Sequence, residues 1–124
     1  MKLGIGFLML LLFSCQVTET CERTEVARID KVTSPKIIDL GETAFINFNF
    51  GIGNGCGSFK EIKSVQTGNY LNIEVINAFK GCTCTELYQL GSEVFSFKPT
   101  QKGTYYIQYL LNENSLTTDT LLVK

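Results

Sequence analysis

The chain of 124 residues contains no histidine and no tryptophan. Without histidine it lacks the side chain that titrates nearest neutrality and is the commonest metal ligand. Acid–base chemistry would have to run on carboxylates, lysine, tyrosine or cysteine. The carboxylates Glu61, Glu74, Glu86 and Glu93 are scattered and read as solvated positions rather than as a pair. A basic block is also missing. The formal net charge is −1, so nothing is available to neutralise a run of phosphates, and nucleic acid is not an expected partner. No stretch offers a long amphipathic helix. These absences lead us to expect a protein that is not an enzyme and carries no cofactor.

What is present begins with grease. Met1-Lys2 is a short positive start, and residues 3–13 read LGIGFLMLLLF, without a polar side chain. As a helix that run would span ~16 Å, against ~30 Å of bilayer hydrocarbon. It is too short for a permanent span and suits the apolar part of a secretory signal. A cut before Cys15 would leave small Ser14 at −1 but bulky Leu12 at −3, a poor substrate for the ordinary signal peptidase.

The stretch Leu12-Phe13-Ser14-Cys15 instead resembles the lipobox of bacterial lipoproteins. That motif is an aliphatic residue, a tolerant position, a small residue and then cysteine; Phe13 is bulkier than usual at the tolerant position. The resemblance implies that the Cys15 thiol receives a diacylglycerol, that residues 1–14 are removed, and that the new N-terminus is acylated. It also implies a membrane address. In Gram-negative lipoproteins an Asp after the lipidated Cys signals retention in the inner membrane; here that residue is Gln16, which implies the outer membrane. Two or three acyl chains would anchor the protein durably, since each buried CH₂ contributes about 0.8 kcal/mol. Membrane lipid is thus the one partner the chain implies directly. A further protein or glycan partner stays open, as does the face of the membrane.

Residues 16–25, QVTETCERTE, are polar and aperiodic, and residues 15–25 are expected to form a lipidated tether. Ten extended residues reach at most ~35 Å. Cys21 lies within them, so the tether has a place to be stapled to the body.

Residues 26–124 form the expected domain, and their hydrophobic period is two. Ala44, Ile46, Phe48 and Phe50 share one face of a strand whose other face carries Asn47 and Asn49, with Phe45. Leu71, Ile73 and Val75 alternate with Asn72 and Glu74, and Tyr105, Ile107, Tyr109 and Leu111 make a wholly apolar or aromatic face. Phe95 and Phe97 flank Ser96, and Leu116–Val123 is rich in Thr, Leu and Val. Such residues favour pleated, half-buried surfaces. Turn chemistry falls between the runs, at Ser34-Pro35, Leu40-Gly41-Glu42, Thr67-Gly68-Asn69, Lys102-Gly103 and 112–115. Residues 58–66 are read as a strand that pairs with 70–78 through Gly68-Asn69, although a short helix is an alternative.

Two segments resemble immunoglobulin-like sandwiches. Lys98-Pro99-Thr100-Gln101-Lys102-Gly103-Thr104-Tyr105-Tyr106-Ile107 is similar to the approach to strand F, where a tyrosine hydroxyl closes a corner. Tyr105 or Tyr106 would fill that role. Ile38-Asp39-Leu40-Gly41-Glu42-Thr43 looks like the turn into strand B. The usual cysteines on strands B and F and the tryptophan on strand C are missing. The expectation is an all-β fold: a single antiparallel immunoglobulin-like β-sandwich of about seven strands, following a cleaved signal peptide, with a small β-barrel as the rival architecture.

Apart from Cys15 there are four cysteines, Cys21, Cys56, Cys82 and Cys84. An even number in an oxidising compartment predicts two disulfides. A Cys82–Cys84 bond is the least favourable pairing, because extended chain puts those Cα atoms ~6.6 Å apart, near the outer limit of disulfide geometry. Cys21 is then joined to one of the pair and Cys56 to the other. The alternative function is a thiolate metal-binding or redox protein using Cys56, Cys82 and Cys84. The stretch 51–57, GIGNGCG, lies between strands and does not open a helix, so it is no dinucleotide loop. It reads as a connection fixed by Cys56, or as a recognition loop at one end of the sandwich. The whole reads as a lipoprotein of the cell envelope acting as a non-catalytic binding or structural module.

Overall fold

The computed structural model describes residues 21–112 and 115–124, and the described residues contain nine strands and no helix. The expected leader 1–14, Cys15, residues 16–20 and residues 113–114 lie outside the described residues. The strands are β1 (Glu22–Val26), β2 (Ile29–Thr33), β3 (Ile37–Ile38), β4 (Ala44–Ile52), β5 (Gly57–Thr67), β6 (Tyr70–Lys80), β7 (Gln89–Phe97), β8 (Gly103–Asn112) and β9 (Ser115–Val123). They form two sheets, so the chain is a β-sandwich. The larger sheet runs β5-β6-β8-β9-β3, with β1 beside β6; the smaller runs β2-β4-β7.

The long β5–β6 ladder follows the expected hairpin, from Thr67↔Tyr70 to Gly57↔Phe79, with a bulge between Phe59 and Glu61. On its other edge β6 has two partners: β8 runs parallel along Tyr70–Asn72, and β1 runs antiparallel along Ile76–Lys80. The chain changes sheets at Ser34–Lys36: β2 pairs with β4, whereas β3 pairs in parallel with β9. Proline fits there, because a missing N–H costs nothing where neither ladder needs one. These two short parallel contacts apart, all pairings are antiparallel.

The number of strands exceeds the expected seven because of β1 and β3. Strand β1 corrects the reading of residues 15–25 as tether throughout. Its side chains are all exposed, so it shows no hydrophobic alternation for the sequence to reveal. Edge pairing with β6 holds it, together with a disulfide at Cys21 and the Arg23 guanidinium lying 4.6 Å from the centre of the Phe79 ring.

The alternation read from the sequence sets the core. Ala44, Ile46, Phe48 and Phe50 of β4 are buried against Leu71, Ile73 and Val75 of β6, Tyr105, Ile107 and Tyr109 of β8, and Leu121 and Val123 of β9. Three aromatic pairs span the two sheets. Phe48 meets Tyr109 edge-on at 6.0 Å, Phe97 meets Tyr105 edge-on at 5.3 Å, and Phe50 lies tilted against Phe59 at 5.9 Å. Such pairs contribute about 0.5–1.5 kcal/mol each beyond their buried area. The tyrosine corner falls to Tyr105, whose hydroxyl donates to the Gln101 carbonyl oxygen at 2.8 Å. Tyr106 instead stacks on Tyr70 outside the sandwich, with ring centroids 4.9 Å apart.

Candidate functional site

Three segments meet at one end of the sandwich: residues 21–28, residues 51–57 and residues 80–89. The cysteines bring them together. Cys21 is bonded to Cys82 and Cys56 to Cys84, with Cα atoms 5.0 Å and 5.4 Å apart. The cross-pairing expected for Cys82 and Cys84 is therefore present, and each neighbour reaches a different segment. The two bonds close loops with sequence separations of 61 and 28 residues. Taken singly, each would stabilise the fold by about 4 kcal/mol in the chain-entropy account, a large part of the ~5–15 kcal/mol typical of a domain.

Hydrogen bonds finish what the sulfurs begin. Gly81 N–H donates to the Cys21 carbonyl at 2.9 Å, Lys80 N–H to Cys56 at 3.1 Å, and Gly55 N–H to Thr85 at 2.9 Å. Asn54 organises the glycine-rich connection. Its side-chain Oδ1 accepts from Cys56 N–H at 2.9 Å, and its carbonyl accepts from Gly57 N–H at 3.2 Å. The same carbonyl accepts from Gln89 Nε2 at 3.0 Å, tying the turn to the start of β7. This is an Asx turn with a β-turn on top of it, and asparagine suits both.

Crowding explains three of the alternate glycines of 51–57, Gly51, Gly55 and Gly57, whereas a Cβ on Gly53 would meet open space. A Cβ on Gly51 would run into the phenol of Tyr88, and one on Gly55 would run into Thr85 Oγ1. The segment 80–88 lies directly on the glycine backbone, so residues 51–57 are a packed platform and not a loose connection.

Beside this platform lies a cavity of about 170 Å³ walled in part by Glu25, Arg28, Gly51, Gly53, Asn77 and Tyr88. Asn77 is the one buried polar residue among the described residues. Its Nδ2 donates to the Gly51 carbonyl at 3.0 Å, joining β6 of one sheet to β4 of the other, while its Oδ1 has no protein partner. The cavity has room for several waters at ~30 Å³ each, and such a group is ordinarily satisfied by one. The sequence held a signal for Asn77, since it sits in phase with Ile73, Val75 and Phe79 on the inward face of β6. A polar residue at an inward position marks a bond across the core.

Segment 85–90 also exposes apolar surface. Leu87, Tyr88 and Leu90 are 61%, 54% and 77% exposed. Leu90 pairs with Gly51 in the β4–β7 ladder, and the Tyr88 phenol covers that same Gly51, so the two side chains share one patch. Sequence reasoning missed this patch. Of the five tyrosines, Tyr105 and Tyr109 are in the core, Tyr70 and Tyr106 stack on each other, and Tyr88 stands at this end.

The predicted site residues thus divide. Cys21, Cys56, Cys82 and Cys84 converge as two disulfides, whereas Cys15 lies outside the described residues. With their sulfurs bonded to one another, Cys56, Cys82 and Cys84 present no thiolate in this structure. Among the described residues no three histidine, cysteine or acidic side chains cluster as metal ligands would. Glu61 lies 3.8 Å from Lys63 on exposed β5, while Glu93 is half-buried on β7, a sheet away.

Residues 46–122 match a family model described as the ORF11 beta-sandwich domain, which spans β4 to most of β9. No curated protein and no solved structure matches the chain.

Proposed function

The chain belongs to the ORF11 beta-sandwich domain family, and from that premise we propose that it is a lipid-anchored envelope protein whose sandwich is a non-catalytic binding or structural module. The observation that carries this reading is the leader: Lys2, the apolar run 3–13, and Ser14-Cys15 in lipobox spacing. Acyl chains on Cys15 would hold the protein in a bilayer, and Gln16 in place of Asp favours the outer membrane. With the leader gone, the remaining chain carries a net charge of −2, so lipid chains and not surface charge would do the anchoring.

The body supports the second half of the reading. Two disulfides, an Asx turn and a glycine platform make one end of the sandwich rigid, and loops fixed on a rigid scaffold are where such folds keep recognition surfaces. The thiolate alternative at Cys56, Cys82 and Cys84 would require prior reduction. Thiol titration before and after reduction separates the two readings.

The test of the anchor is Cys15→Ala in the native host. Wild-type protein should partition with membranes and carry acyl chains by mass spectrometry, and the variant should be released. A variant that stays in the membrane fraction would refute the anchor.

A further inference from the structure

We propose that the disulfide-stapled end is a membrane-contacting surface, with Leu87, Tyr88 and Leu90 seated in the interfacial region of the bilayer that holds the protein's own lipid anchor. The inference rests on the anchoring reading and extends it to the orientation of the whole domain.

The first observation is the place where Cys21 is fixed to the domain. Cys21 is six residues after Cys15 and is pinned to Cys82, so the attachment point of the domain lies at this end. Six residues span at most ~21 Å, shorter than the domain itself. The β5–β6 ladder, from Gly57↔Phe79 to Thr67↔Tyr70, is ~33 Å long at 3.3–3.4 Å per residue. With β1 as tether the domain could have turned freely above the lipid. With β1 paired to β6 as far as Glu22↔Lys80, rotation is confined and the stapled end hangs nearest the anchor.

The second observation is independent of the first. This end carries the exposed side chains of Tyr88 and Leu90 over the same Gly51, with exposed Leu87 preceding Tyr88 in the chain. Tyrosine prefers the membrane–water boundary, where its ring is in apolar surroundings and its hydroxyl stays wet. Charge around the patch is mixed. Arg28 and Glu25 share the cavity beside Tyr88, Lys31 and Asp30 lie in the groove beside Leu90, and Glu86 precedes Leu87. The contact is therefore carried by apolar side chains, and neither added salt nor the share of anionic lipid should change it much.

The absence of tryptophan supplies the experiment. Full-length lipidated protein carrying Leu87→Trp is reconstituted into phosphatidylcholine vesicles, and Val65→Trp serves as control. Val65 is 64% exposed and pairs with Asn72, towards the far end of the ladder. The indole at position 87 should emit to the blue of the one at position 65 and be quenched by lipids brominated on their acyl chains. The indole at position 65 should emit as in water and escape quenching. Adding phosphatidylglycerol or raising the salt should leave both unchanged. Equal, water-like emission at the two positions would overturn the proposal, and so would quenching confined to position 65. Vesicle flotation keeps the two readings apart: protein that floats while position 87 stays wet refutes only this orientation, whereas wild-type protein that does not float refutes the anchor as well.

Discussion

The hydroxyl of Tyr105 donates to the carbonyl oxygen of Gln101 at 2.8 Å, closing the loop that feeds β8. The bond joins a ring buried against Phe97 to a loop carbonyl four residues upstream. It turns the chain from β7 of the smaller sheet into β8 of the larger. Tyr105→Phe keeps the ring and its edge-on contact but leaves the Gln101 carbonyl without that donor. The expected loss is about 0.5–1.5 kcal/mol, read as a lower denaturant midpoint at unchanged slope. Tyr106→Phe, at a half-buried ring stacked outside the sandwich, should cost less. An equal loss from both would mean that the corner contributes nothing of its own.

How much of this was legible follows from where each side chain points. Strands β4, β6 and β8 could be read because one face of each is buried and the other is not, and burial on one face writes itself as alternation. A corner at Tyr105 or Tyr106 was legible from Pro99, Gly103 and the aromatic pair, and the bond to Gln101 assigns it to Tyr105. Strand β1 was illegible for the converse reason: ERTEV buries nothing, so no pattern distinguishes it from a tether. Its strand character comes from the free edge of β6 and from Cys82, both remote in sequence. Disulfide connectivity was narrowed to two choices by the spacing of Cys82 and Cys84, and only the three-dimensional path of segment 80–88 decides between them. The patch at Leu87, Tyr88 and Leu90 gave no signal, because isolated apolar residues near a turn look the same whether they fold inward or out.

Strand β1 also gives the second prediction. Its side chains are exposed, so its attachment depends on the ladder to β6, the Arg23 contact with the Phe79 ring and the Cys21–Cys82 bond. Replacing both cysteines together, Cys21→Ala with Cys82→Ala, should cost about 2–5 kcal/mol and lower the melting temperature accordingly. The loss should also be local. Amides of Glu22–Val26 should lose their protection through local opening, while those of β4 in the core should lose no more than the global destabilisation. Unchanged protection in β1 would show that it is held without the disulfide.

The last prediction concerns alkaline stability and turns on Tyr109. Its ring is packed edge-on against Phe48, and its hydroxyl donates to Asp119 Oδ2 at 3.1 Å. Burial first, then the hydrogen bond to Asp119 and that carboxylate's negative charge, push the phenol up from 10.0 to about 12. All three causes favour the neutral phenol over the phenolate. The folded state therefore holds this proton more tightly than the unfolded state does. Its contribution to stability is complete below the ordinary phenol range near 10 and is lost as pH rises through about 12. An ultraviolet titration of the phenols should show a final step near that upper value, and Tyr109→Phe should delete it. The variant should also flatten the fall in stability across the same alkaline window, because phenylalanine has no proton to lose. A titration that keeps its last step in Tyr109→Phe would assign the high value to another tyrosine and remove Asp119 from the account of alkaline unfolding.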